Sequence, residues 1–529
     1  MQRTFNLADL FELVCQTVPD RDVLSYGAEK TSYALINQNA DAVAAFLLQQ
    51  GVKRGDNVGL QLTNCPAYLE AFFACCKIGA IPFNINYRYT GTELEYLYTN
   101  SKARALFFNH EMSEAVASAV SAVGGIETLV CVGENAVESF SSYAEILNTQ
   151  AAAPDYEGRR DDDLIMTYTG GTTGMPKGVM WPHKSLFFGA LGGASWYHPG
   201  DPITEPAEIV ERVEEGYFLT TFPVAPLMHG AAFWTAMSSV FAGHTVVLND
   251  QVSFSAEHVW DLVEREGVQI MAIVGDAMGV PMAEALEQHP ERWDLSRFNH
   301  LGSGGAVFSK DVQQRIKNVV PTIVTASSLG ATETGVMGPG NKSSEEGLMS
   351  YQGREDITVI ADGRIAKKGE LGIVARRGYL PIGYFDDAEK TAATFVNIDG
   401  VDHAMGGDTA RIEQDGSITI LGRGSTCINT GGEKVFPEEV EQVLKSHPAV
   451  HDALVVGLDH SRWTQQVTAL ISLRPDQSAS AAELKEHCLQ DLAAYKVPKE
   501  ICFADTLQRS VVGKPDYVWA KEQLLKQLE

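Results

Sequence analysis

The stretch with the densest chemistry is "TYTGGTTGMPKGVM", residues 167 to 180. Thr169, Gly170, Gly171, Thr172, Thr173 and Gly174 run up to Lys177, with Pro176 before the lysine and Gly178 after it. Gly and Thr backbone N–H groups can wrap phosphate oxygens, threonine hydroxyls add donors, and the lysine adds a mobile positive charge. The common phosphate loop has its lysine directly after a glycine, opening a helix. Here Pro176 opposes that arrangement, because the residue before a proline is pushed out of the α region and the ring has no N–H to give. With the apolar flanks "LIMTYT" and "GVMW", the stretch reads as strand–loop–strand.

This string resembles the phosphate loop of the adenylate-forming superfamily: acyl-CoA synthetases, peptide-synthetase adenylation domains and beetle luciferases. Further stretches match that family in order. "SLGATETG", residues 328 to 335, resembles its adenine and magnesium motif. The resemblance implies that Ser328, Leu329 and Gly330 lie by the nucleotide, that Thr332 contacts the α-phosphate and that Glu333 holds Mg²⁺, a cation that takes oxygen ligands. Leu329 stands where the family commonly has an aromatic ring, which puts adenine stacking at that position in question. Gly302 and the "GGAV" turn (Gly304, Gly305, Ala306) resemble the strand end that flanks adenine and the acyl tunnel. "GGDTARI" supplies Asp408 for the ribose hydroxyls and "LGRGS" supplies Arg423; a carboxylate suits a diol because it only accepts. "FPVAPLMHGAAFW" resembles the acyl-site wall, with His229 at the matching position and Met228 and Trp234 nearby.

Toward the C-terminus, "GRGSTCINTGGEKVFPEEVE" resembles the hinge and thiol-loop motif. Ser425 falls at the hinge, where the family usually has Asp or Lys, and Gly431, Gly432 and Glu433 on the loop that approaches the pantetheine channel. Lys514 in "LQRSVVGKPDY" matches the catalytic lysine, with Gln508 where the family usually has Pro. A positioned ammonium is what a carboxylate needs to attack an α-phosphate against like-charge repulsion. The resemblance implies an AMP-forming acyl-CoA synthetase using ATP, Mg²⁺ and coenzyme A, closest in texture to bacterial long-chain or steroid-side-chain enzymes. Lys177 would manage departing pyrophosphate. Lys514 would serve one orientation of a mobile domain, and the "GGEKV" loop the other. An acyl-AMP ligase loading a carrier protein, and a catalytically silent nucleotide-binding scaffold, are the alternatives; a homodimer is left open.

The elements that must position these residues are legible as alternation. "NADAVAAFLLQQGVKRGDNVGLQL" and "AYLEAFFACCKIGAIPFNIN" each read as a helix, a glycine stop and a strand, the pattern of an α/β sheet. "TVVLND", "VQIMAIVGD", "FNHLGSGGAVFS" and "PTIVTASSLGATETG" continue as strand-then-turn units. From about 355 short strands joined by Gly and Asp turns suggest an antiparallel β unit. The expected architecture is a large domain, residues 1–424, of two α/β sheet subdomains and a small β-barrel-like one. A small mobile α+β domain, residues 425–529, follows. The acidic stretch "DPITEPAEIVERVEE" between Asp201 and Glu215 reads as a solvated surface insertion.

Acids outnumber bases by 68 to 41, giving a net charge of −27. That excludes general nucleic-acid or anionic-membrane binding, so a polyphosphate must be held by local donors. No stretch reaches about 18 uninterrupted apolar residues, so no membrane span is expected. The N-terminus lacks a signal-peptide layout, and the eight cysteines form no paired CxxC set, so free buried thiols and a cytoplasmic location are expected.

Overall fold

The computed structural model describes residues 3–133, 139–152, 158–171, 174–198, 200–306, 308–340, 342–343, 349–423, 426–430, 433–460, 464–492, 494–509 and 515–528. The described strands form three sheets of eight and one of five.

Two of the large sheets are mainly parallel, as helix–strand alternation demands. The first runs through strands Val324–Ala331, His300–Gly304, Ile270–Ile273, Thr220–Pro223, Thr245–Leu248 and Asp22–Tyr26. Its antiparallel edges are Gly335–Gly340 and Glu29–Ser32. The second centres on Ile81–Asn84, Asn57–Gln61, Ala103–Asn109 and Thr128–Val132, and one side continues through Leu164–Gly171, Gly174–Pro182 and Gly383–Tyr384. Helices Leu7–Thr17, Tyr33–Gln49, Pro66–Ile78 and Gly230–Phe241 fill the space between them. Their apolar residues share one core with Val58 and Leu60 of one sheet and Val246 and Leu248 of the other.

Helix Pro66–Ile78 buries every residue from Ala67 onward, including Glu70 and Lys77. Burying those two ions requires partners. The Lys77 ammonium donates to Glu12 at 2.7 Å and Asn37 at 2.9 Å, and pairs with Asp41 at 2.8 Å. Glu70 accepts from Asn39 at 2.6 Å and the Tyr143 hydroxyl at 2.5 Å. No helix among the described residues is long and apolar enough to cross a membrane. The eight cysteines are free thiols, all buried except the half-buried Cys427.

The third sheet is antiparallel and includes Ile357–Ala361, Leu371–Arg377, Val401–Ile412 and Ile418–Arg423. Every strand of the five-stranded sheet starts at Ile428 or later. With helices Pro437–Lys445 and Ala481–Asp491 it encloses its own core, around Val440, Leu444, Val455, Ala469 and Leu484. Pro437 opens its helix at the first turn, where a proline costs nothing. The last helix, Tyr517–Leu528, has no counterpart in the sequence reading.

The acidic stretch corrects an expectation. Residues Glu208–Glu215 form a helix whose Ile209 and Val213 are buried, as is Ile203 before it, and all three join the core shared by the two parallel sheets. Two apolar residues four apart make a helical stripe; Glu211, Glu214 and Glu215 occupy the outer face. The stretch is a packed amphipathic element, not a solvated insertion.

Candidate functional site

The loop that opened the sequence analysis is a hairpin. Strands Leu164–Gly171 and Gly174–Pro182 pair antiparallel, with Thr169 opposite Lys177 and Gly171 opposite Gly174. Helix Thr92–Ser101 braces it. The Tyr96 hydroxyl donates to the Pro176 carbonyl at 3.1 Å and the Tyr168 hydroxyl to Asn100 Oδ1 at 2.7 Å. Asn84, at the end of its parallel strand, accepts from the Tyr168 N–H at 2.7 Å. Its Nδ2 donates to the Tyr168 carbonyl at 2.9 Å and the Met228 carbonyl at 2.7 Å. One amide thereby ties the hairpin to the Met228–His229 segment. The Lys177 ammonium is ion-paired with Asp387. Asp387 also caps helix Ala388–Thr394 by accepting from the Lys390 N–H at 2.8 Å. The hydrogen bond from Lys177, then that from Lys390, holds the Asp387 carboxyl below the usual carboxylate range.

The second component is the turn after strand Val324–Ala331. In the parallel ladder Gly302 is the partner of Ala326, and Gly304 of Ser328. Leu329 and Gly330 complete the strand, and Thr332 and Glu333 sit in the turn to Gly335–Gly340. Trp181 of the hairpin donates from Nε1 to the Thr332 carbonyl at 2.9 Å. Arg376, buried, donates from one guanidinium nitrogen to the carbonyls of Thr334 at 3.0 Å and Val336 at 3.1 Å, and to that of Gly189. Its Nε reaches Asp356 at 3.0 Å. Gly335 has φ +68°, and a Cβ there would overlap the Gly189 carbonyl. This turn therefore needs glycine for both conformation and space. The Tyr384 hydroxyl donates to Glu333 Oε1 at 2.7 Å. Burial, then the Glu333 carboxylate, pushes the Tyr384 hydroxyl well above its usual range, so it stays a donor.

The third component comes from the antiparallel sheet, where Asp408 and Arg423 are direct register partners. The two residues singled out on separate motifs thus share one rung. On the opposite side, Asn64 accepts from the Leu227 N–H at 2.8 Å. His229 is the N-cap residue of helix Gly230–Phe241, and Trp234 is buried in that helix.

One cavity of about 2410 Å³ joins these components. Thr169, Lys177, Thr332, Glu333 and Asp408 line it, as do Ser328, Leu329 and Gly330. So do Met228, His229 and Trp234, and so do Gly302, Gly304, Gly305 and Ala306. Its floor is the strand row Ala272, Gly302 and Ala326, with Ile270 and His300 farther along. A Cβ on Gly302 would meet only the Met271 carbonyl, at 3.7 Å, and one on Gly305 would meet nothing within 4 Å. Gln508, Arg509, Pro515 and Asp516, which bracket Lys514, line the same cavity. Thr172, Thr173, Ser425, Gly431, Gly432 and Lys514 lie outside the described residues. Gly170 continues strand Leu164–Gly171, Arg423 ends its strand and Glu433 begins strand Glu433–Val435.

Among the described residues no group of three or more His, Cys, Asp or Glu side chains could hold a metal. A single carboxylate facing a polyphosphate site suits Mg²⁺, which takes one or two protein oxygens and fills the rest of its shell with phosphate and water; Glu333 fits that role. The sequence reading did not include Asn84, Arg376, Tyr384 and Asp387. The last had one local signal, an Asp directly before the helical "AEKTAAT".

Residues 11–366 match the model of the AMP-binding enzyme family, and residues 439–514 that of the AMP-binding enzyme C-terminal domain. A 3-oxocholest-4-en-26-oate–CoA ligase of Rhodococcus rhodochrous is 38% identical over 535 residues, covering 98% of this chain and 96% of that protein. A medium/long-chain-fatty-acid–CoA/3-oxocholest-4-en-26-oate–CoA ligase of Mycobacterium tuberculosis is 36% identical over 534 residues, covering 99% and 97%. The anthranilate CoA ligase AuaEII, solved with anthranoyl-AMP, superposes with a TM-score of 0.85 at 23% identity, covering 99% of this chain and 98% of that one; that likeness speaks for the fold. With the family model covering residues 11–366 and relatives alike along almost the whole length, the chain belongs to the AMP-binding enzyme family.

Proposed function

We propose that the protein is an AMP-forming acyl-CoA ligase. It joins a carboxylic acid to ATP with release of pyrophosphate, then passes the acyl group from the adenylate to the thiol of coenzyme A. The observation that carries this reading is the single cavity that gathers Lys177, Thr332, Glu333 and Asp408 with the residues bracketing Lys514. These come from three different sheets and the C-terminal segment, and a simple nucleotide-binding scaffold has no need to bring them together.

In this reading the Thr169–Lys177 hairpin, with Gly170, Gly171, Thr172, Thr173 and Gly174, wraps the β- and γ-phosphates as the leaving group. Thr332 orients the α-phosphate. Glu333 holds Mg²⁺, which supplies neutralisation of phosphate charge. Asp408 accepts from the ribose hydroxyls, and Arg423 lies beside it. Lys514 bridges the attacking carboxylate and the α-phosphate, where negative charge builds. The chain then pivots at Ser425, and the Gly431–Gly432–Glu433 loop escorts the thiol. A domain boundary at 424/425 is supported by the separate sheet and core beyond Ile428 and by the family C-terminal match starting at 439. The location assigned is the cytoplasm.

The acid is a medium- or long-chain fatty acid or a steroid-side-chain acid, in line with the names of the relatives. Four residue steps separate Gly304 from His300 along the floor, roughly 13 Å at the usual strand rise, which is room for an acyl chain of medium length or a ring system. His229, Met228 and Trp234 form the wall at the reacting end.

The test is a pyrophosphate-release screen over medium-chain, long-chain, steroid and aromatic acids, with coenzyme A and with an acyl carrier protein as thiol donors. ATP-dependent release with a fatty or steroid acid, and acyl-CoA as product, is expected. No release with any acid would sink the reading, and transfer to the carrier protein alone would favour the carrier-loading alternative.

A further inference from the structure

An ammonium that grips a leaving pyrophosphate creates a difficulty of its own, because the grip that helps the bond break also slows departure. The structure places a second anion on Lys177. Asp387 is ion-paired with it, and the Asp387 carboxylate is anchored independently by capping helix Ala388–Thr394 through the Lys390 N–H at 2.8 Å. The segment that precedes it is fixed as well. Tyr384 pairs with Val179 of the hairpin strand, and Asp386 pairs with Lys102 at 3.0 Å. The Lys177 side chain remains 41% exposed, so the ammonium can be reached by an incoming phosphate.

We infer that Asp387 is the resident counter-ion of Lys177. It holds the ammonium when no polyphosphate is bound, yields it to the phosphates of ATP, and takes it back as pyrophosphate leaves. The inference rests on the assignment of Lys177 to the phosphates made above. Asp387 touches no reacting atom in this scheme; it is a positioning residue that sets how tightly the hairpin holds polyphosphate.

Asp387→Asn and Asp387→Ser both keep an oxygen that can cap the helix, and both remove the charge. Each is expected to bind Mg²⁺-pyrophosphate more tightly than the wild type in titration calorimetry, by roughly two- to five-fold, the range of a partly exposed ion pair. The gain should shrink at high salt and disappear in a Lys177→Ala background. In the adenylation half-reaction, KM for ATP and the inhibition constant for pyrophosphate should fall together, with KM for the acid unchanged. Unchanged or weaker pyrophosphate binding in both variants, at unaltered melting temperature, would overturn the inference. A gain that survives in Lys177→Ala would overturn it too. Because calorimetry with pyrophosphate needs no acid substrate, failure of the ligase reading and failure of this inference are read out separately.

Discussion

Tyr384→Phe removes one hydroxyl and little else. The ring that packs edge-on against Phe395, with centroids 5.9 Å apart, is kept, and so is the backbone pairing with Val179. What is lost is the 2.7 Å hydrogen bond to Glu333, together with the hydroxyl's hydrogen bond with Thr394. A hydrogen bond to a charged group contributes about 1.5–3 kcal/mol, and part of that is recovered here because Glu333 lines a cavity that admits water. With Glu333 as the proposed Mg²⁺ ligand, removing its hydrogen-bond partner typically costs about 10- to 100-fold in metal affinity. The lower end, about ten-fold or 1.4 kcal/mol, applies when water can substitute. The assay is pyrophosphate–ATP exchange across a Mg²⁺ titration at saturating ATP. The variant should need about ten times more Mg²⁺ for half-maximal exchange and approach the wild-type rate at saturation. A lower plateau with an unchanged Mg²⁺ requirement would refute the reasoning, since it would place Tyr384 in the chemistry and not in the orientation of Glu333.

Three other predictions are independent of that one. Lys514→Ala should abolish adenylation yet still convert a supplied acyl-adenylate to acyl-CoA; equal loss of both half-reactions would contradict the two-orientation scheme. Lys77→Met should destabilise the fold by about 3–5 kcal/mol in urea unfolding, because it strands the buried Asp41 carboxylate, while Glu12 keeps Arg3 and Arg159; a loss below about 1 kcal/mol would show that Asp41 is not held by charge. His183 and His244 have their folded-state values pushed down to about 3, in both cases by burial first. The unfolded chain takes up these protons below about pH 6.5, so their contribution is complete above that pH and is lost as pH falls from 6.5 toward 3, at up to about 1.4 kcal/mol per unit for each. His244→Phe, which retains a ring beside Tyr197, should flatten the acid limb of a stability–pH curve; an unchanged slope would reject the assignment.

The residues that the sequence made legible are those carried on short, self-contained motifs. Lys177, Glu333 and Asp408 each stand in a run of glycines and threonines that announces a turn, and the structure brings all three to one cavity. Helix–strand alternation likewise marked the two parallel sheets, and Pro176 distinguished a hairpin from a loop that opens a helix. The residues that hold these groups were silent for a physical reason. Tyr384 reaches Glu333 across 51 residues and Asp387 reaches Lys177 across 210, and no local pattern encodes a contact at that separation. Arg376 is one basic residue in "VARRG", and nothing nearby says that one arginine is buried under three carbonyls while Arg377 is exposed. The acidic stretch misled because composition was weighed over spacing. Ile209 and Val213 carry a helical stripe, and two buried side chains outweigh a face of solvated acids.

The floor of the cavity separates two kinds of adjustment. Ala272, Gly302 and Ala326 line the cavity, while the side chains of Met271 and Leu301, their neighbours in the chain, are fully buried in the core behind, and Thr325 donates to Gln313 at 2.7 Å. A Cβ on Gly302 would meet only the Met271 carbonyl, at 3.7 Å, so that position can take a small side chain without disturbing the packed face. The turn after strand Val324–Ala331 has no such tolerance, since Gly335 admits no side chain and Arg376 is committed to three carbonyls. If the row of small residues lies along the acyl chain as proposed, one fold can drift from acid to acid there while the turn at Gly335 stays fixed.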